Sequence, residues 1–534
     1  MSDLHYFNPA WIQKTDENIK TDVCIYGATS AGVSAAIQAK KLGKSVALLN
    51  PGKFTGGLTT GGLGETDYGR KHVIGGFSRQ FYQLVGKEYG KEEEYKFEPH
   101  VATKVYDDQL KAHGIAVRQA QFLDTVEKTG TTITAITFLG GLRVEASIFL
   151  DCTYEGDLFA KAGISHFVGR EDNSVYDETL SGIQVLGKHQ FSHPVDPYVK
   201  EGDPTSGLLP GIGKEDLSTQ IGKGDKRVQA YCFRMCMTND PTLRIPWEKP
   251  QKYDPMQYVL AGRWFSGEKD HYNDQISHQY PQHAIKKFDI FPNKTPGGFN
   301  KTDTNNHGPV SSDFIGANWE WASGCYERRE ELFQAHVTYQ KGYYWYMANS
   351  PQVPERYRVK YAEYGLPKDE FQQTANWPHA LYVREARRMI GQYVITEHDC
   401  RGTRKPHDTI GMGSYGMDSH NCSRFVKIEN GKARVMNDGD VQIGGFPPYG
   451  IPYRSITPKP AECTNLLVPV CLSSSHIAYG SARMEPVFMV LGQSAATAAC
   501  MAIDAKSSVQ DVPYAKLREK LLADGQVLEA AVEA

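Results

Sequence analysis

The stretch DVCIYGATSAGVSAAIQAKKLGKSVALLN, residues 22–50, decides how the chain begins to fold. Asp22 to Tyr26 is a short apolar run bounded by polar residues, the pattern of a buried parallel strand. Gly27 to Gly32 forms a glycine-containing turn, after which Val33 to Leu42 reads as an alanine-rich helix stopped by Gly43. Ser45 to Leu49 is a second buried strand. Strand, helix and strand within roughly thirty residues make a βαβ unit with a right-handed crossover.

A turn between such a strand and helix is the place for a dinucleotide pyrophosphate. The phosphates need backbone N–H groups at close range and the positive end of a helix, and glycines permit the approach. In Gly27-Ala28-Thr29-Ser30-Ala31-Gly32 the first and third glycines of GxGxxG are present and Thr29 replaces the middle one. The strand before and the helix after supply the context that the motif requires. Asn50 ends the second strand, where an acidic residue usually binds the ribose hydroxyls. An amide can both donate to and accept from a diol, but without the charge typical of NAD sites. The next segment, GGLTTGGLG at residues 56–64, favours a flavin dinucleotide, because an NAD enzyme would continue directly with a third βα unit. Asn465 to Leu472 reads as another buried strand, and Met484 to Ile503 as a helix of small and apolar residues. The N-terminus of that helix suits the flavin edge that becomes negative on reduction.

The 534 residues allow two or three domains, and 40% hydrophobic against 23% charged residues is a globular balance. A formal net charge of -3 makes no electrostatic case for nucleic acid or an anionic membrane. No apolar run reads as long enough to span a bilayer, and Met1 to Lys20 lacks the apolar core of a secretory signal. The ten cysteines form no CxxC pair, which favours reduced core cysteines and a cytoplasmic home. Cys232 and Cys236 read as structural. In a strand their even spacing would put them on one face without joining them. Composition changes between Gly169 and Trp377, where Tyr, Trp, Pro, Asn and His gather. The expected architecture is an α/β Rossmann-like FAD-binding domain built from both chain ends (20–168 and 378–525), with an inserted α+β substrate domain (169–377).

The chain resembles the FAD-dependent oxidoreductases with a glutathione-reductase-type FAD domain. The likeness rests on YGATSAGVSAA, GGLTTGGLGETDYG, EPHVA, DCTYEGDLFAKAG, YVREARRMIG, YGMDSH and SSSHIAYGSARMEPVFMVLGQSAATAA, in that order. It implies FAD as cofactor, with Gly27, Thr29, Ala31 and Gly32 at the pyrophosphate and Asn50 at the ribose. It also implies that Gly56, Gly57 and Thr60 line the ribityl chain and that the backbone of Val126 holds the adenine. Thr153 and Glu155 would follow the strand that closes on the pyrophosphate. Arg483, Met484 and Glu485 would form the C-terminal flavin contact.

A flavin takes hydride at N5, so the protein must also remove a proton from the substrate, a task suited to histidine. His420, with Asp418 nearby to orient it, and His476, just after a buried strand, are the candidate bases. Each is weighed against a structural, hydrogen-bonded histidine. Arg384, Arg387 and Arg388 lie in LYVREARRM, which reads as a helix. Spacing of three and four puts Arg384 on one face with Arg387 and Arg388, a candidate clamp for an anionic substrate or the flavin, against a structural network with Glu385 and other acids. His72 is the one position offered for covalent attachment, and non-covalent FAD is expected. His189 and His193, four apart but without HExxH, do not read as a zinc site, and Asn437 to Asp440 reads as a turn. No metal is expected. Asn293, Asn300 and Asn421 head glycosylation triplets, relevant only to a secreted chain. The reading that results is dehydrogenation of a polar small molecule, with a sugar- or polyol-like CH–OH first and an amine second, to an unknown electron acceptor. The alternative is a flavoprotein reaction without net electron transfer.

Overall fold

The computed structural model describes residues 3–271, 289–291, 301–306 and 308–530. Asn293 and Asn300 lie outside them. The opening stretch folds as read: β1 (Asn18–Tyr26), α1 (Ser30–Lys41) and β2 (Val46–Leu49) form the βαβ unit. There follow α2 (Gly76–Glu88), α3 (Pro99–Ala112), β3 (Val117–Arg118), β4 (Leu123–Thr129), β5 (Thr132–Phe138) and β6 (Arg143–Asp151). The sheet order is β3-β2-β1-β6-β5-β4. The β3-β2-β1-β6 pairs are parallel, and β4, β5 and β6 form an antiparallel meander. Residues 466–467, from the far end of the chain, add a parallel strand beside Phe149 and Leu150 of β6. This is the mixed α/β fold of a Rossmann-like FAD-binding protein, and both chain ends build it.

Register explains why the site forms where it does. Tyr26 lies opposite both Leu49 and Asp151, so β1, β2 and β6 end level with one another. Their loops, beginning at Gly27, Asn50 and Cys152, therefore emerge together at one carboxyl edge, where ligands of open α/β sheets bind.

Helix α1 is buried from Ser30 to Ala39, and the closing helix Glu485–Ala505 lies along it. Small side chains make that approach possible. A Cβ on Gly492 would stand 2.2 Å from the Ala31 carbonyl oxygen. Ser34 Oγ donates to the Met489 carbonyl at 2.8 Å. The closing helix meets the length and apolarity of a membrane span, with mean hydropathy 1.5, which corrects the reading that no run is long enough. Its side chains from Glu485 to Cys500 are buried, so its apolarity is that of a core helix covered on all sides.

The middle segment has its own core, in which Phe233, Trp321, Phe333, Tyr344 and Trp377 pack around the long helix Tyr326–Asn349. The hairpin Ser423–Glu429 and Lys432–Asp438 lies beyond residue 377 but pairs with Ile212–Gly213 of this segment. By packing it belongs there, with Val435 inside that core. Asn437 and Asp438 end this hairpin's second strand instead of forming the expected turn, and Asp440 Oδ2 lies 2.6 Å from His189 Nδ1. LYVREARRM is not a helix. Arg387–Met389 is a strand paired with His166–Val168, and residues 381–386 have no regular structure. Pairing outweighs the helical propensity of this stretch. In the extended chain Arg387 turns to Asp157 and Arg388 to Glu171, away from Arg384.

Candidate active site

A cavity of about 110 Å³ opens at the carboxyl edge, where ligands of open α/β sheets bind. Its floor is Gly27, Thr29, Gly57 and Thr153, one wall is Asn50 to Phe54, and its roof comes from His5, Tyr6, Trp321, His379, Ala380, Leu381 and Val383. Gly27 has φ +100°, and a Cβ there would stand 2.7 Å from the Cys152 carbonyl carbon. A Cβ on Gly32 would stand 1.9 Å from the Gly27 carbonyl oxygen. Both glycines are therefore obligatory for the turn. Thr29 is the N-cap of α1, and its Oγ1 donates to the Cys152 carbonyl at 2.7 Å. A side chain at the middle position is thus accommodated by turning it under the loop. A positive helix end and a tight backbone turn facing one cavity fit a dinucleotide.

Several sequence assignments change here. Asn50 is not free to hold a ribose. Its Oδ1 accepts from Ala28 N–H at 3.1 Å, and its Nδ2 donates to the Gly52 and Phe54 carbonyls and to Gln119. With no charge to project, the amide ties the two loops together. Thr60 Oγ1 donates to the Thr55 carbonyl and is buried in its own turn. Val126 sits mid-strand in the meander, opposite Ile136, and does not line the cavity. Gly56, at φ +99°, donates its N–H to the Ala28 carbonyl, joining the glycine-rich stretch to the pyrophosphate turn. Ala31 packs inside α1 against Gly492.

Glu155 lines the cavity beside Trp321, and burial pushes its carboxyl up to about 7. Glu485, first residue of the closing helix, has no cationic partner among the described residues. It accepts from Thr59 Oγ1 at 2.6 Å and from Tyr154 OH at 2.7 Å, and burial raises its pKa. Tyr154 OH also accepts from Leu58 N–H at 3.0 Å, clamping the glycine-rich stretch. Tyr154 went unremarked in the sequence, although TYEGD follows a buried strand directly.

Met484 is the buried N-cap of the closing helix, and Arg483 leads into a second polar cluster. Tyr382 lies at its centre, its hydroxyl accepting from Arg483 Nη1 at 2.8 Å. The guanidinium carbons of Arg384, Arg483 and Arg234 stand 4.5, 5.6 and 6.0 Å from its ring centre. Asp67 and Asp303 pair with Arg234, Asp313 with Arg384, and Asp418 lies 3.7 Å from Arg483. Gly61 and Gly62 let Ala380 and the Arg234 backbone press on the glycine-rich stretch, which joins the cluster to the cavity floor.

The two candidate histidines separate clearly. His476 has Nδ1 2.8 Å from Glu385 and Nε2 3.1 Å from Ser419 Oγ, and burial pushes it down to about 3. Both nitrogens are engaged inside protein, which corrects its assignment as a base. His420 Nδ1 lies 2.9 Å from Asp313 Oδ2, so Asp313 orients it rather than Asp418, which stands 3.8 Å from Nε2. Burial, with Arg384 adding to it, holds His420 below the ordinary imidazole value of 6.5. Asp313 is pushed up by burial but pulled well below the carboxylate range by Arg384 and His420. Arg384 is wholly buried on Asp313, Asn305 and the Ala230 carbonyl.

His72 is exposed and does not line the cavity. Among the described residues one group, Glu98, His100 and Glu370, has the spacing of metal ligands. The Lys301 ammonium already lies 3.0 Å from Glu98 and 2.8 Å from Glu370, so a cation is built in.

The fold and the cavity together define a dinucleotide-binding flavoprotein. The chain belongs to the FAD dependent oxidoreductase family, whose description matches residues 22–521, and its cofactor is FAD. No sequence among curated proteins matches it. Of solved structures, thioredoxin reductase of T. acidophilum is 21% identical over 29% of this chain and 40% of that one, with a TM-score of 0.18. Bacillithiol disulfide reductase of Staphylococcus aureus is 20% identical over 25% and 38%, with a TM-score of 0.20. L-proline dehydrogenase of P. horikoshii is 15% identical over 29% and 59%, with a TM-score of 0.24. The chain spans less than two thirds of each, and likenesses at such TM-scores decide nothing about substrate.

Proposed function

We propose that this oxidoreductase removes hydride from a neutral, hydroxylated small molecule, a sugar- or polyol-like CH–OH group, with His420 as the base. The observation that carries the reading is the His420–Asp313 pair inside the second polar cluster. Asp313 accepts a hydrogen bond from Nδ1–H and so leaves Nε2 as the acceptor, and its charge would stabilise the imidazolium formed when His420 takes the substrate's hydroxyl proton. Bound FAD supplies the hydride acceptor. The Tyr382 hydroxyl, which accepts from Arg483, keeps its own proton to donate to a hydroxyl oxygen. Three guanidiniums face four carboxylates, Asp67, Asp303, Asp313 and Asp418, so the cluster carries no positive excess to select an anionic substrate.

The test is an anaerobic panel of polyols, sugars, hydroxy acids and amines, read by loss of oxidised-flavin absorbance. Bleaching by neutral alcohols and not by hydroxy acids supports the proposal. Bleaching by amines alone, or turnover of a substrate without bleaching, overturns it.

A further inference from the structure

The contacts that usually hold a dinucleotide are partly spent elsewhere in this chain. The Thr29 hydroxyl is committed to the Cys152 carbonyl, and the Asn50 amide to the loops beside it. The opposite wall of the cavity carries a side chain with nothing to do. His379 stacks on Phe54 with ring centres 4.3 Å apart and planes at 21°, and meets the Phe371 ring edge-on at 5.6 Å. It lines the cavity together with Gly27, Thr29 and Gly57.

Its two nitrogens are in different situations. Nε2 is sealed from solvent and has no hydrogen-bond partner. Nδ1 has no partner among the described residues either, but it is not sealed, and its residue lines the cavity. A sealed N–H without an acceptor is costlier and rarer than a sealed lone pair without a donor. The proton therefore belongs on Nδ1, and Nε2 is the bare nitrogen.

We propose that His379 is a cofactor-binding residue whose Nδ1–H donates a hydrogen bond from the roof of the cavity to an acceptor oxygen of FAD, on the pyrophosphate or the ribityl chain. The bond replaces, from the opposite side, contacts that Thr29 and Asn50 do not make. Burial pushes the imidazole down to about 3, so the donor is neutral and adds no charge to the site. The proposal rests on the reading that FAD fills this cavity.

The experiment measures binding of FAD and of ADP to flavin-stripped protein, by fluorescence quenching and competition, in three variants. His379→Phe keeps the stack on Phe54 and is expected to weaken FAD about tenfold, the size of one hydrogen bond to a polar or charged oxygen. In His379→Asn the amide N–H lies near the place of Nδ1–H, so affinity should return to within about threefold of the native protein. His379→Gln reaches the Nε2 position instead and should bind as weakly as the Phe variant. ADP affinity falling in parallel assigns the bond to the pyrophosphate, and ADP affinity unchanged assigns it to the ribityl chain. Native FAD affinity in the Phe variant, or rescue by Gln and not by Asn, overturns the proposal. If the Phe variant does not fold, the Asn and Gln pair decides alone. Gly32→Val, whose side chain cannot fit beneath the turn, tests the cavity itself. Full FAD binding by that variant would refute the cavity reading, whatever His379 does.

Discussion

Arg329→Met removes one guanidinium that holds three parts of the molecule together at the roof of the cavity. Arg329 reaches from the helix Tyr326–Asn349 to Asp157, with Nη1–Oδ2 at 2.6 Å and Nη2–Oδ1 at 2.8 Å. It also donates to the Trp321 carbonyl at 2.8 Å and to Tyr6 OH at 3.1 Å. Breaking a buried pair by removing one partner costs about 3–5 kcal/mol, because the other charge is left uncompensated. Arg387 still pairs with Asp157 at 2.8 Å, which argues for the lower end, about 3 kcal/mol. The loss of the bond to the Trp321 carbonyl adds about 1 kcal/mol, while the Met side chain keeps most of the apolar packing of the arginine stem. The assay is urea denaturation of Arg329→Met, Asp157→Asn and the double variant. The double variant should be less destabilised than the sum of the singles, with a coupling of about 2–3 kcal/mol. A loss below about 1 kcal/mol, or strict additivity, would refute the argument that this pair holds the inserted segment to the FAD domain.

Replacing His420 by Ala should leave FAD bound and slow flavin reduction by roughly 10²–10⁴-fold. An equal rate in the variant would remove His420 from the mechanism. Since its pKa is depressed, the native rate should rise with pH through a value below 6.5 and be flat above it, and an inflection above 6.5 would contradict this. Glu330→Gln loosens residues 3–11, because Glu330 accepts from Tyr6 N–H at 2.7 Å and Phe7 N–H at 3.0 Å and lies 2.6 Å from His5 Nδ1. Release of FAD on dilution should then be several-fold faster, and an unchanged rate would show that the strap holds nothing in. Acid precipitation should leave yellow cofactor in the supernatant, since His72 is exposed and away from the cavity. Burial holds His336 at about 4, so at this group the unfolded chain binds more protons between about pH 4 and 6.5 and its contribution to stability rises with pH across that window. His336→Phe should therefore gain less stability than the native protein between pH 5 and pH 6, by up to about 1.4 kcal/mol. Urea midpoints that shift equally with pH in the two proteins would contradict it.

The βαβ unit was legible because every part of it is local: an apolar run, two glycines, an alanine-rich helix, then a second run. The closing helix was legible for the same reason, in its small-residue composition. What could not be read is what the inserted segment brings across space. Asp313, the partner of His420, lies 107 residues before it, whereas the neighbouring Asp418 only looked like the partner. LYVREARRM carries helix-forming residues, but three buried ion pairs and a partner strand at 166–168 hold it extended. Asn50 stood at the right position with the wrong job, since its hydrogen bonds run to loops whose path no motif records. His379 and Phe54 are 325 positions apart and meet only in the folded chain.

Ser34 and the Met489 carbonyl it bonds are 455 residues apart, and Leu466–Leu467 extends a sheet begun at residue 18. During synthesis Ser34 leaves the ribosome 455 residues ahead of Met489, so the face of α1 meant for the closing helix is bare until that helix emerges. The flavin site is finished only then. A chain ending before Glu485 would lack the carboxyl that braces Tyr154 and Thr59, and would expose an apolar strip along α1. Chains truncated before Glu485 should therefore bind no flavin and stay colourless.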